Sequence, residues 1–349
     1  MKPSIFPLNV LRSVLWILRR NEDDIVNLYN SATPFIEAII REIIARTKVE
    51  NMNTMLNFGY WTQSTKNPLE AQQQLVMLVG EFGDFHAAKT ILDIGSGFSS
   101  PAIQWKLKYP SLLDVICVDI NFQQLTTATA SKSILGNNDR MHTFNNYGDN
   151  SRLVPGRHLL KSITTTTFSN EIILSLVNAT ATVLPMSDSS VDRVVSLEAA
   201  QHFRPLFSFF REAKRILKPH GQLIIAIPVI GPNISDNVIM QFLDLGILYF
   251  PWASEHYSLD YITSMLISEN FKIESIRHIG RNVYEPLADY YVSNREFLMQ
   301  TLKGKLDSFA ERVIFEIVES ILDKSSLKMK DLSQKRAIEY VLIKAMRPF

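Results

Sequence analysis

The stretch that most limits what this chain can fold into is Ile91-Leu92-Asp93-Ile94-Gly95-Ser96-Gly97-Phe98-Ser99-Ser100-Pro101. An apolar run that stops at two glycines one residue apart reads as a buried strand ending in a tight turn, because Gly95 and Gly97 free the backbone for such a turn. "PAIQWKLKY" follows with helical spacing, so the local unit is strand, glycine turn, helix. From Thr90 onward the texture repeats. Short apolar runs, "TILDIG", "DVICVDI", "VDRVVSLEA", "GQLIIAIPV", "FKIESIRHIG" and "EYVLIKAM", alternate with helical stretches such as "RPLFSFFREAKRIL" and "LDYITSMLISEN". This alternation predicts βαβ units and an α/β fold built on a mainly parallel sheet.

Other segments are placed around that core. Apolar residues at three-and-four spacing predict an N-terminal helical region over 1–85. The core is expected over 86–283, broken by a turn-rich excursion at about 137–169, which reads as a long loop. Helical spacing in "DSFAERVIFEIVESIL" predicts a helical cap over 284–335 ahead of a final core strand in 336–349. Insertions this long serve either as a lid over a substrate or as decoration.

Composition narrows the partners. A chain of 349 residues with 46% hydrophobic content buries a full core, and a net charge of +1 speaks against a surface that tracks phosphates. A small molecule is therefore expected as substrate, and nucleic acid is not. The single cysteine, Cys117, lies inside an apolar run, cannot close an intramolecular disulfide, and suits a reducing, cytoplasmic setting. "SIFPLNVLRSVLWILRR" carries Arg12 and lacks a convincing cleavage site, so it reads as an amphipathic helix. Such a helix packs on the body of the protein or makes a peripheral membrane contact.

In an open parallel sheet, ligands bind beyond the carboxyl ends of the strands. Ser99 stands where a third glycine would complete a G-x-G-x-G pattern, so the loop alone is also compatible with a plain strand-to-helix turn. The next strand adds Asp119, twenty residues beyond Ser99, where a carboxylate can accept hydrogen bonds from both ribose hydroxyls of a cofactor. Asp93, at the start of the loop, suits a cationic or zwitterionic ligand better than a diphosphate, which favours amides free of nearby negative charge.

Taken in order, "LNFGYW", "EAQQQLV", "ILDIGSG", Asp119, "ATATVLPMSDSSVDRVVSLEAAQHF" and "REAKRILKPHGQLIIAIP" resemble the class I S-adenosylmethionine-dependent methyltransferases. The likeness is to the small-molecule branch related to the ubiquinone/menaquinone, sterol and macrolide methyltransferases. It covers about residues 55 to 230 and returns in "AIEYVLIKAM". The resemblance implies a Rossmann-like fold with a mainly parallel seven-stranded sheet, helices on both faces, N-terminal helices and a helical cap insertion. It also implies S-adenosyl-L-methionine as cofactor and S-adenosyl-L-homocysteine as product.

Carried over by position, the resemblance puts Asp93, Gly95, Ser96 and Gly97 beside the methionine moiety, Asp119 on the ribose and Ile120 on the adenine. Thr180 and Ala181 fall where many relatives have Asp-Ala beside the adenine amino group. Thr180 is thus a departure whose hydroxyl accepts a hydrogen bond without charge assistance. Leu197 and Glu198 complete the cofactor set, Glu198 either orienting the pocket or cofactor or serving a structural role, and Tyr60 with its neighbour Trp61 either supplies aromatic faces near the sulfonium or the substrate or packs in the core of a helical lid.

Transfer to an O, C or N atom of a small hydrophobic metabolite is the implied reaction. For a hydroxyl acceptor a base helps, and His202 in "SLEAAQHF" is the candidate; its alternative role is to hydrogen-bond the cofactor or order the loop. The other six histidines show no metal-ligand spacing, and no metal is expected. Two rival readings remain. An NAD(P)-dependent oxidoreductase shares the glycine loop and ribose acid but needs the full G-x-G-x-x-G pattern, which is missing. A non-catalytic scaffold on the same fold is suggested by Ser99, Thr180 and the insertions.

Overall fold

The computed structural model describes residues 55–125, 174–232, 257–296 and 324–349, with shorter pieces at 26–27, 29–30, 140–144 and 162–166. The expected N-terminal amphipathic helix and "DSFAERVIFEIVESIL" lie outside the described residues. Among the described residues, no helix is long and apolar enough to cross a membrane.

The glycine turn sits in the strand–turn–helix unit its sequence predicts: β1 (Thr90–Ile94), then α2 (Ser100–Lys108), preceded by α1 (Pro68–Phe82). The chain continues through β2 (Asp114–Asp119), β3 (Arg140–Phe144), β4 (Ser162–Thr166), β5 (Leu174–Asn178) and β6 (Val191–Leu197). It ends with α3 (Leu206–Ile216), β7 (Leu217–Ile230), α4 (Leu259–Ser268), β8 (Lys272–His278), α5 (Gly280–Ser293) and β9 (Ile338–Met346). Among the described residues these strands form one sheet in the order β3-β4-β5-β2-β1-β6-β7-β9-β8. β5, β2, β1 and β6 pair in parallel, as the βαβ rhythm predicts.

The α/β architecture agrees with the sequence, and seven of the strands make the expected sheet. The difference lies at one edge. The excursion at 137–169, read as a loop, contributes β3 and β4, which pair antiparallel with each other, and β4 pairs antiparallel with β5. Its hydroxyl-rich "SITTT" is compatible with a strand because Thr and Ile are β-branched and suit a pleated surface. The abundance of turn formers around it obscures that preference.

Two compact units are defined by their internal packing: one holds residues up to Leu75 with Ala226–Ser264 and Ile276–Leu342, the other Val76–Ile225 with Met265–Ser275 and Ile343–Phe349. The second unit contains β1, β2 and β6, whose Ile91, Leu92, Val118, Val194 and Val195 are fully buried. Near-continuous apolar runs are what strands covered on both faces require. α3 buries Leu206, Phe209, Phe210, Ala213 and Ile216, one stripe at helical spacing. Its Arg215 ties down the segment that leads into β6, donating to the Leu184 carbonyl at 3.0 Å and the Met186 carbonyl at 2.7 Å.

In the first unit, the turn Phe58–Trp61 docks on the start of α1. Gly59 adopts φ +84° where a Cβ would stand 2.6 Å from Ala71 Cβ, and the Tyr60 N–H donates to the Ala71 carbonyl at 2.8 Å. α5 holds the other side of this turn. The Trp61 N–H donates to the Asn282 carbonyl at 2.7 Å, and Asn282 Nδ2 returns a bond to the Trp61 carbonyl at 3.1 Å. Phe58 packs edge-on against Tyr284 at 5.5 Å.

Candidate active site

Because β5, β2, β1 and β6 run parallel, their carboxyl ends share one edge of the sheet. The chain proceeds from β1 outward to β2 and β5, then crosses back to β6 on the other side of β1. Strand order therefore reverses at β1/β6, the place where open α/β sheets bind ligands. At these four strand ends the structure gathers Asp93, Gly95, Ser96, Gly97, Asp119, Ile120, Thr180, Ala181, Leu197, Glu198 and His202. Tyr60 belongs to the first unit, in the Phe58–Trp61 turn.

The glycine turn is fixed by contact as well as by dihedral. Gly95 has φ +75°, and a Cβ there would lie 2.2 Å from Ala199 Cβ, so the loop after β1 presses directly on the turn after β6. That turn, Ala200–His202, carries Gln201 and His202. Gly97, at φ +52°, sends its N–H to Asp119 Oδ2 at 2.8 Å and joins the glycine loop to the end of β2. Ser99 also takes a left-handed φ of 56°, fully buried at the cap of α2, and its N–H donates to the Ser96 carbonyl at 2.7 Å. A serine thus occupies the position of the missing glycine at a conformational cost of roughly 1–2 kcal/mol.

Asp119 is held by Gly97 and by the Asn121 N–H, which donates to Oδ1 at 2.7 Å. Burial raises its carboxyl, and the bonds from Asn121, Gly97 and Ile120 oppose that shift. The turn beyond it is clamped by Asn178, whose Nδ2 donates to the carbonyls of Asp119 at 2.9 Å and Ile120 at 2.8 Å. Sequence reasoning missed Asn178, although it is the last residue of β5 and registers with Asp119. The Thr180 hydroxyl pairs with that of Thr182 at 3.1 Å, an internal turn where a carboxylate would have offered a stronger acceptor.

Glu198 stands at the end of β6 with φ 52°, a conformation that costs energy in a residue with a side chain. Gln201, also missed in the sequence, braces it: Gln201 Nε2 donates to the Glu198 carbonyl at 2.8 Å, leaving the buried Oε1 with no hydrogen-bond partner. His202 is 6% exposed. Burial, and after it the positive charge of Arg204, pushes its pKa down to about 3, so the ring is neutral at physiological pH. Asp93 is 2% exposed, and its Oδ2 is likewise buried without a partner. Burial first and Asp119 second raise its carboxyl to about 8.

Comparison with known proteins agrees with this geometry. A model of the methyltransferase domain matches residues 156–225. Erythromycin 3''-O-methyltransferase of Saccharopolyspora erythraea is 23% identical over 308 residues, covering 84% of this chain and 83% of that protein. Among solved structures, the cyclopropane synthase MmaA2 from Mycobacterium tuberculosis superposes with a TM-score of 0.60 at 15% identity, covering 88% of this chain and 93% of that one. The [4+2]-cyclase SpnF superposes with a TM-score of 0.61 at 15% identity, covering 94% and 97%. Fold and sequence together relate the chain to the methyltransferases: residues 156–225 match a methyltransferase domain, and the sheet and helices superpose on the solved structures above.

Proposed function

We propose that the chain binds S-adenosylmethionine at the carboxyl ends of β1, β2, β5 and β6 and methylates a hydroxyl oxygen of a small hydrophobic molecule. The observation that carries this reading is the packing of Gly95 on Ala199, at the start of the turn that carries His202, whose buried ring is neutral. The residues fit the cofactor. Asp93 offers a buried acceptor oxygen without a partner to a cationic group, and Asp119 is fixed by two backbone N–H groups where a ribose would be received. Thr180 and Ala181 border the adenine end.

When bound, the cofactor supplies an electrophilic methyl group on a sulfonium. The protein's share is to align the acceptor oxygen opposite the departing sulfur and to exclude water. His202, neutral through the physiological range, accepts a hydrogen bond from the acceptor hydroxyl and takes its proton as the new C–O bond forms. Its low pKa makes it a reluctant base while a sulfonium stands nearby. On taking up the acceptor's proton His202 would become charged as the cofactor's sulfonium charge would be lost, so the ring would hold that proton without adding net charge to the site.

The likeness to a [4+2]-cyclase shows that this fold alone does not dictate methyl transfer, so activity is the direct test. Incubation with methyl-labelled cofactor and a panel of hydroxylated macrolides and polyketides is expected to transfer label to oxygen. His202→Ala is expected to lower kcat by about 10²-fold or more and leave S-adenosylhomocysteine affinity within about twofold. Full turnover by His202→Ala at every pH removes the proposed base.

A further inference from the structure

Two carboxylic acids lie at the adjacent ends of β1 and β2, both buried, with Asp93 2% and Asp119 8% exposed. Their hydrogen bonding is unequal. Asp119 receives the Gly97 N–H at 2.8 Å on one oxygen and the Asn121 N–H at 2.7 Å on the other, the bonding that favours an ionised carboxylate. Asp93 Oδ2 is buried with no hydrogen-bond partner among the described residues. Like charges on two such neighbouring buried acids disfavour each other, so Asp93, with its unpartnered Oδ2, is the one that keeps its proton.

The groups around Asp93 do not relieve this. Across the strand pair, β2 presents Cys117 in register with it, and Asp119 lies two residues further along. On the other side, β6 presents Val195 in register. Asp119 is the charged group that acts on Asp93, and it disfavours the carboxylate. Burial pushes the Cys117 thiol up as well and keeps it neutral. Beyond β6 stand Glu198, His202 and Arg204, and His202 stays unprotonated well below neutrality through burial and the charge of Arg204.

We propose that Asp93 is a proton-exchange site, giving up its proton to solvent when the ammonium group at the amino-acid end of S-adenosylmethionine or S-adenosylhomocysteine enters. This rests on the cofactor reading above and adds to it a linkage between cofactor occupancy and pH. The Asp93 O–H bond breaks heterolytically, its proton passes to the buffer, and the ligand ammonium keeps its own protons. A neutral acid is thereby exchanged for a carboxylate–ammonium pair. Cofactor affinity accordingly rises with pH wherever the free protein holds the Asp93 proton, by up to about tenfold per pH unit. A nucleoside with no ammonium lacks this dependence.

The test is calorimetric titration of the full chain at pH 7 in buffers of different ionisation enthalpy. The ligands are S-adenosylhomocysteine and 5′-methylthioadenosine, which lacks the amino-acid end, and the proteins are wild type and Asp93→Asn. Wild type is expected to release about one proton per S-adenosylhomocysteine bound and none with methylthioadenosine, with S-adenosylhomocysteine affinity rising close to tenfold (about one proton's worth) from pH 6 to pH 7. Asp93→Asn is expected to bind S-adenosylhomocysteine more weakly and release no proton. Heats independent of buffer, or proton release kept in the variant, overturn the proposal while leaving the cofactor reading intact. Absence of binding by either ligand at any pH overturns the cofactor reading and this proposal with it. The buffer and ligand comparisons on wild type stand even if the variant does not fold.

Discussion

Gly95 and Gly97 share a positive φ, yet a methyl group added at each meets different surroundings. At Gly95 it would stand 2.2 Å from Ala199 Cβ, while at Gly97 its nearest neighbour is Gln124 Oε1 at 3.6 Å. Gly95→Ala is therefore expected to cost about 2–4 kcal/mol, from overpacking and dihedral strain together, against roughly 1–2 kcal/mol for Gly97→Ala. Thermal unfolding of the two variants checks the order, and equal losses would show that the glycine loop does not press on the β6 turn. Two buried acids and bases also make the stability of the free protein depend on pH, with opposite signs. Asp93, raised to about 8, contributes stability at low pH that is lost as pH rises from about 4 through 8. His202, lowered to about 3, contributes stability above its unfolded value of 6.5 that is lost as pH falls towards 3. In chemical denaturation across pH 4–8, Asp93→Asn is expected to flatten the alkaline decline and His202→Gln the acid one, each at about 1.4 kcal/mol per pH unit or less.

Among the elements, the β2/β5 pair shows how a site residue is made by a neighbour it does not adjoin in sequence. Asn178 spans from the end of β5 to the carbonyls of Asp119, the last residue of β2, and of Ile120 just beyond it. Asn178→Ala is expected to lower stability by about 1–3 kcal/mol, the net value of two hydrogen bonds, and to weaken S-adenosylhomocysteine binding by loosening the Asp119–Ile120 turn. Urea unfolding and ligand titration of that variant measure the two effects, and an unchanged affinity would mean that Asp119 is positioned by Gly97 and Asn121 alone. β1, β2, β6, β7, β8 and β9 were legible as apolar runs and α3 as a single stripe at helical spacing, whereas β5 was not among the runs read as strands. Nor were β3 and β4. They pair antiparallel with each other at the sheet edge from a segment crowded with turn formers, and the pairing of β4 with β5 is what joins them to the sheet.

For the whole molecule, a ligand that binds only the folded state must raise its unfolding free energy. S-adenosylhomocysteine at about a hundred times its Kd is expected to add about 2.7 kcal/mol, an increment that Asp119→Ala abolishes. Thermal shift with NAD under the same conditions is expected to give none, and a shift with NAD instead would restore the oxidoreductase reading. The order of the motifs determined the fold class and pointed to the strand ends proposed for the site, because apolar periodicity and glycine placement are local properties that one chain segment holds by itself. The pressing of Gly95 against Ala199, the clamp from Asn178, the unpartnered oxygens of Asp93 and Gln201, and the unequal bonding of the two aspartates were decided only by the tertiary structure. Each is a relation between segments distant in sequence, and burial, hydrogen bonding and proton affinity take their values only once those segments are packed together.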